Sequence, residues 1–139
     1  MGVDYGQRRI GLALSDATGM LARPWKTIPR AGNPSQVAAT IASEAGALMR
    51  DDDGLSAIVV GLPRRLNGEP TDQTAVVEAL VERLRGIVTI PVVLQDERLT
   101  SHEADRMLAQ REKDWRKRKA MIDAAAAALI LQDYLDGQP

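Results

Sequence analysis

Ile10, Leu12 and Leu14 alternate with small and polar residues through 9–15, the period-two pattern of a half-buried antiparallel strand. Ahead of it the short apolar run Met1-Gly2-Val3 ends in Asp4, followed by Tyr5-Gly6. Behind it, 16–19 carry turn residues, and 20–28 read as a third strand. Pro24 removes a ladder donor there, which predicts an edge strand. The opening of the chain is thus expected to be a three-stranded antiparallel meander. Its first strand is short if Met1 is the true start.

The period then changes. Asn33-Pro34 combines an N-cap with a proline suited to the first helical position, and Val37, Ile41, Ala45 and Leu48 follow at helical spacing. The run Asp51-Asp52-Asp53 reads as a helix-to-strand loop. Ala57-Ile58-Val59-Val60-Gly61 is continuously apolar, as in a parallel strand buried on both faces. A loop over 62–70 leads to a second helix with Val77, Leu80, Val81 and Leu84 on one side, then a buried strand over 90–95. Thr100-Ser101-His102-Glu103 fits a capping box, so a third helix is expected from just after Glu97 to about Gln110. After the charged stretch 111–118 a last helix is predicted over about 119–135, with Asp123 at the opening of its apolar part. Its alanine-rich body can approach the sheet closely, holding Asp123 near the strand that carries Asp4. Three antiparallel strands followed by strand–helix alternation predict a mixed α/β sheet flanked by helices, in one domain over 1–139.

Composition narrows the chemistry. Hydrophobic residues at 45% and charged ones at 27% describe an ordinary soluble globular chain. Without cysteine there are no disulfides or thiolate metal sites, and with one histidine any metal site must rest on carboxylates. No apolar stretch reaches membrane-spanning length and no secretory signal precedes Asp4, so no membrane partner and a cytoplasmic location are expected. The net charge of −1 hides an uneven distribution. Basic residues gather at Arg8-Arg9, at Arg64-Arg65 and across 111–119, and phosphate contacts are local because exposed charges are screened beyond ~10 Å.

Three acids stand where strands or a helix can aim them at one point: Asp4, Glu97 after the run 90–94, and Asp123. A carboxylate among apolar neighbours is costly unless something positive neutralises it, and oxygen-rich sites suit hard divalent cations that engage phosphates. Each acid has a plainer alternative. Asp4 can close an Asp-x-Gly turn, Glu97 can pair with Arg98, and Asp123 can be an N-terminal helix acid favoured by the dipole. Asp16 reads as a turn residue and Asp96 as a group that orients its neighbours. His102 reads as a solvated first-turn position, the other reading being a proton shuttle. Arg8, Arg9, Arg64 and Arg65 are candidate phosphate contacts, the latter two beyond a parallel strand's carboxyl end, where ligands bind in open α/β sheets. Lys113, Trp115, Arg116, Lys117, Arg118 and Lys119 combine cations with an aromatic able to stack on an unpaired base; the alternative is a solvated helix end with Trp115 folded onto the core.

Asp4-Tyr5-Gly6 with Arg9-Ile10-Gly11 and Ser15-Asp16, Gly61-Leu62-Pro63 with Asn67-Gly68, Asp96-Glu97-Arg98-Leu99-Thr100-Ser101, and Asp123-Ala124-Ala125 with Ile130-Leu131 and Tyr134-Leu135 together resemble the YqgF (RuvX) family, in order and over essentially the whole chain. The resemblance implies an RNase H-like fold with sheet order 3-2-1-4-5. It implies a Mg²⁺- or Mn²⁺-dependent nuclease acting in Holliday-junction resolution or in 5′-end maturation of pre-16S ribosomal RNA. It places the acidic site on Asp4, Glu97 and Asp123. Related resolvases carry an acid at the end of the fourth strand, where this chain has Gly61-Leu62-Pro63, so Glu97 stands one strand farther from Asp4. In a two-metal site Asp4 is expected to bridge ions ~3.5–4 Å apart, with Glu97 and Asp123 each completing one side.

Two other readings compete with the nuclease. One is a catalytically silent nucleic-acid-binding module. The other is an actin- or Hsp70-like nucleotide-binding fragment, suggested by Asp-Tyr-Gly before a hairpin but lacking the second such domain. Symmetric junction cleavage would call for a homodimer.

Overall fold

The computed structural model describes residues 1–50, 54–65, 67–97 and 115–138, and of 115–120 the backbone alone. Strands β1 (Gly2–Tyr5), β2 (Arg9–Ser15), β3 (Ala22–Pro29), β4 (Ile58–Pro63) and β5 (Val92–Glu97) form one sheet in the order β3-β2-β1-β4-β5. The first three run as an antiparallel meander, and β4 and β5 lie parallel to β1. This is the order that the family resemblance implied. Helices α1 (Pro34–Met49), α2 (Asp72–Arg85) and α3 (Trp115–Asp136) flank it.

Alternation along the strands sorts side chains into two layers. On one face Val3, Ile10, Leu12, Ile58, Val60 and Leu62 pack with Val37 and Ile41 of α1 and Val77, Leu80 and Leu84 of α2. On the other, Ala13 and Val59 meet Ala127, Ala128, Ile130 and Leu131 of α3. Strand β4 is therefore buried on both faces, which explains its unbroken apolar run.

Local chemistry sets the ends. Asn33 Oδ1 accepts from the Gln36 amide and Gln36 Oε1 from the Asn33 amide, both at 2.8 Å, closing a capping box at α1. Thr74 Oγ1 donates to the Pro63 carbonyl at 2.6 Å and accepts from the Thr71 amide at 2.8 Å, pinning the start of α2 to the end of β4. Strand β3 is an edge, as Pro24 predicted. The β2–β3 register shifts between Leu12 and Ala13, whose partners are Lys26 and Pro24, so Trp25 is the bulged residue.

Several boundaries differ from expectation: β3 starts at Ala22 rather than Met20, and β4 runs on through Leu62 and Pro63, which were expected in the loop. Strand β5 begins after Pro91, which has no amide to donate, and continues through Glu97 because Asp96 and Glu97 pair with Leu62 and Pro63. Helix α3 is already formed at Trp115, so Asp123 lies about two turns inside it. The N-terminal-acid alternative for Asp123 thereby falls away. The expected helix after Glu97, the capping box around His102 and the loop Asp51-Asp52-Asp53 lie outside the described residues.

Helix α3 seats its backbone on glycines. A Cβ at Gly2 would lie 2.6 Å from the Ala127 carbonyl oxygen, and one at Gly11 would overlap the Asp123 carbonyl. At its far end Gln132 accepts from the Ala22 amide at 2.8 Å and donates to the Met20 carbonyl at 2.9 Å, fastening α3 to the edge strand. No described helix is long and apolar enough to cross a membrane.

Gly11→Ala is accordingly expected to lower stability by roughly 2–3 kcal/mol in urea denaturation, because helix backbone must move. Gly46→Ala, in α1 with open space around it, should raise stability by about 0.5–1 kcal/mol. Equal tolerance of the two substitutions would remove the close seating of α3 from the account.

Candidate metal centre

Gly2 faces α3, so two residues later Asp4 projects from the same side of β1. Its register partner on β2 is Gly11, and directly above Gly11 runs the α3 backbone at Asp123. On β5, Glu97 shares its side with Val93, the partner of Val59 on the α3 face. Three acids from β1, β5 and α3 therefore converge at the carboxyl end of the parallel strands.

Their proximity is felt at Asp4. Its carboxyl is pushed up to about 8 from the ordinary 3.8, first by burial, then by the negative charge of Glu97, then by that of Asp123. Near neutral pH, with no cation beside it, Asp4 holds a proton. Its carbonyl accepts from the Gly6 amide at 3.2 Å, so the backbone makes the Asp-x-Gly turn and the carboxyl is not spent on it.

Gly61 explains how Glu97 comes near from one strand farther out. A Cβ on Gly61 would stand 2.7 Å from Glu97 Oε2 and 2.5 Å from Ile130 Cδ1. The bare backbone of β4 leaves a trough through which the Glu97 carboxylate lies over the intervening strand.

Asp123 contributes an unfinished oxygen. Arg9 Nε stands 2.9 Å from Asp123 Oδ2, yet this buried oxygen receives no well-directed hydrogen bond. The ion pair and the missing hydrogen bond are compatible, because charge attracts at any angle whereas a hydrogen bond needs alignment. An orphaned carboxylate oxygen, a protonated acid beside two others and an all-oxygen donor set fit Mg²⁺ or Mn²⁺. Among the described residues no three such side chains already close into a cage, so an ion would have to draw them inward.

A family model described as "RuvX: Holliday junction resolvase" matches residues 1–137. The chain belongs to the RuvX family. Family relatives named "Putative pre-16S rRNA nuclease" include one from Roseiflexus sp. (strain RS-1), 44% identical over 99% of this chain and 94% of that protein. Another from Chloroflexus aggregans is 41% identical over 99% and 93%, and one from Thermoanaerobacter pseudethanolicus 40% identical over 99% and 96%.

The basic candidates fall into three groups in this RuvX-family chain. Arg8 is exposed at the β1–β2 turn, Arg9 pairs with Asp123, and Arg65 is exposed after β4. Arg64 stands 3.4 Å from Asp96 Oδ1, on the face opposite Glu97. Lys113 and His102 lie outside the described residues, as do the side chains of Trp115, Arg116, Lys117, Arg118 and Lys119. Asp16 is a turn residue at the other end of the sheet. Its Oδ1 accepts from the Met20 amide at 2.9 Å and the Leu21 amide at 3.3 Å, contacts that hold its carboxyl below the usual range. A cavity of about 520 Å³ lies at that far end, between Met1, Asp16, Arg23 and Leu55, and contains none of the three acids.

Sequence reasoning missed Arg30. Its guanidinium covers the Tyr5 ring at 4.1 Å and donates to the Gly6 carbonyl at 3.0 Å, bracing the turn that follows Asp4. It also missed the part played by Gly11 and Gly61, for which the signal was small residues on the α3 side of consecutive strands.

The Asp4 shift has a definite sign. Between about pH 4 and 8 the folded chain keeps a proton that the unfolded chain releases, so stability is fullest in acid and is lost as pH climbs through that window. In EDTA, Asp4→Asn should melt close to wild type near pH 4 and progressively above it as pH rises, by on the order of 10 °C or more at pH 8. A melting difference independent of pH would contradict the buried-acid assignment.

Proposed function

We propose that this chain is an endonuclease that hydrolyses phosphodiester bonds in structured nucleic acid, with Asp4, Glu97 and Asp123 holding Mg²⁺ or Mn²⁺, two ions in the fullest form of the site. The observation that carries this reading is the elevated Asp4 carboxyl, buried and facing the negative charge of two acids from distant parts of the chain. Such an arrangement is unfavourable by itself and becomes favourable when dications enter. The bound ions would lower the pKa of an attacking water and stabilise charge on the departing oxygen.

The protein's share is placement. Asp4 sits on the central strand, whose neighbours on both sides fix its position. To hold an ion Asp4 would have to release its proton, so ion affinity would rise with pH through the Asp4 range. Glu97 and Asp123 flank it from β5 and α3. Arg8, Arg64 and Arg65 ring the same end of the sheet and are proposed to hold phosphates, and the cations and Trp115 of 113–119 are proposed, from the sequence, as further contacts. No protein nucleophile is required, in keeping with a chain without cysteine.

The family description speaks for a four-way DNA junction, the relatives' names for precursor ribosomal RNA. The linkage cut is the same. Both substrates should be offered side by side to wild type and Asp4→Asn, with Mg²⁺, Mn²⁺ or EDTA. Cleavage of at least one by wild type is expected, abolished by EDTA and reduced at least about 10²-fold in the variant. An Asp4→Asn protein cutting at the wild-type rate ends the assignment. Gly61→Ala, which pushes the Glu97 carboxylate aside, should slow cleavage about tenfold or more while costing less stability than Gly11→Ala. Full activity in that variant would remove Glu97 from the centre.

A further inference from the structure

Arg9 opens β2 with its side chain on the same side as Gly11, at the rim of the acidic site. One end of the Arg9–Asp123 pair is rooted in the site and the other stands in solvent, the side chains being 21% and 49% exposed respectively. The contact runs through Nε, and Asp123 Oδ2 receives no directed hydrogen bond from it. The guanidinium is therefore held by charge rather than by a fitted fork.

We propose that Arg9 is the resident counter-ion of this site, occupying Asp123 when no dication is bound and turning to a nucleic-acid phosphate when one arrives. This rests on the reading of Asp4, Glu97 and Asp123 as ion ligands. A dication and a guanidinium cannot both sit against one carboxylate oxygen without strong mutual repulsion. Ion entry at Asp123 therefore frees Arg9 at the rim, where its planar fork suits a phosphate. By linkage, a phosphate that draws Arg9 away opens Asp123 to the ion, so ion and substrate favour each other. The role is gating and positioning: Arg9 suppresses ion uptake in the absence of substrate and supplies a phosphate contact once the ion is in place.

The test is Mn²⁺ titration of metal-free protein, followed by the electron paramagnetic resonance of free Mn²⁺, for wild type, Arg9→Gln, Arg8→Gln and Asp4→Asn. Arg9→Gln should bind Mn²⁺ about tenfold more tightly than wild type, and Arg8→Gln, with the same charge change at the exposed neighbour, about twofold or less. A non-cleavable phosphorothioate oligonucleotide should tighten Mn²⁺ binding to wild type and leave Arg9→Gln unaffected. Equal gains in the two arginine variants would reduce Arg9 to general charge and overturn the proposal. So would an unchanged or weakened affinity in Arg9→Gln. Should Arg9→Gln melt far below wild type, Arg9→Met replaces it: loss of the positive charge with the aliphatic stem kept should still tighten Mn²⁺ binding, and wild-type affinity overturns the proposal. If neither wild type nor the arginine variants take up Mn²⁺, the ion-ligand reading itself fails and this one with it. If wild type binds and Asp4→Asn does not, that reading stands whatever Arg9 does.

Discussion

The backbone-to-backbone approach of α3 to the sheet is the constraint on which the rest depends. An alanine-rich helix can descend onto a sheet only where the strands also lack side-chain bulk, and Gly2 and Gly11 provide that on adjacent strands. Because Gly11 is the register partner of Asp4, the point of closest approach is also where the helix carries Asp123. The site is thus set by packing rather than by attraction between its members, which are like-charged. Moving α3 outward by the radius of one methyl group would separate Asp123 from Asp4 and fill the gap with nothing useful.

That enforced crowding has an electrostatic price that the chain meets in two ways. Asp4 retains a proton, and Asp123 borrows a positive charge from Arg9. An exposed or half-exposed ion pair is worth about 0–1 kcal/mol, far less than burying an unpaired carboxylate costs, so Arg9 relieves the strain only partly. The remainder is what a dication would relieve under the proposed function. Glu97 belongs to the same economy of space: without a side chain on Gly61, its carboxylate reaches over β4 and adds to the field at Asp4.

Much of this was legible in the residues. The alternation of Ile10, Leu12 and Leu14, the unbroken run through Val59 and Val60, and the Asn33-Pro34 start each specify an element locally, and each formed where expected. The family motifs gave the sheet order and the three acids. What could not be read is relational. Nothing in Gly61 as a letter shows that a glutamate from the next strand lies across it, or in Arg30 that it braces a turn far back in the chain. The bounds of β5 and α3 were misjudged because strand pairing carried Asp96 and Glu97 into the ladder, and because helix formation tolerates the charged residues before Asp123. The Arg9 pairing needed the register of β1 on β2 together with the height of α3, two distances no single segment contains.

The bulge opposite Leu12 and Ala13 bears on assembly. An open sheet ends in strands whose unpaired amides and carbonyls invite another chain to add on, and repeated addition leads to fibres. With Pro24 lacking a donor and Trp25 breaking the regular spacing, the β3 margin is a poor template for such growth. Two copies meeting in solution would therefore have to join through helices, loops or the β5 side, leaving the meander's outer border solitary.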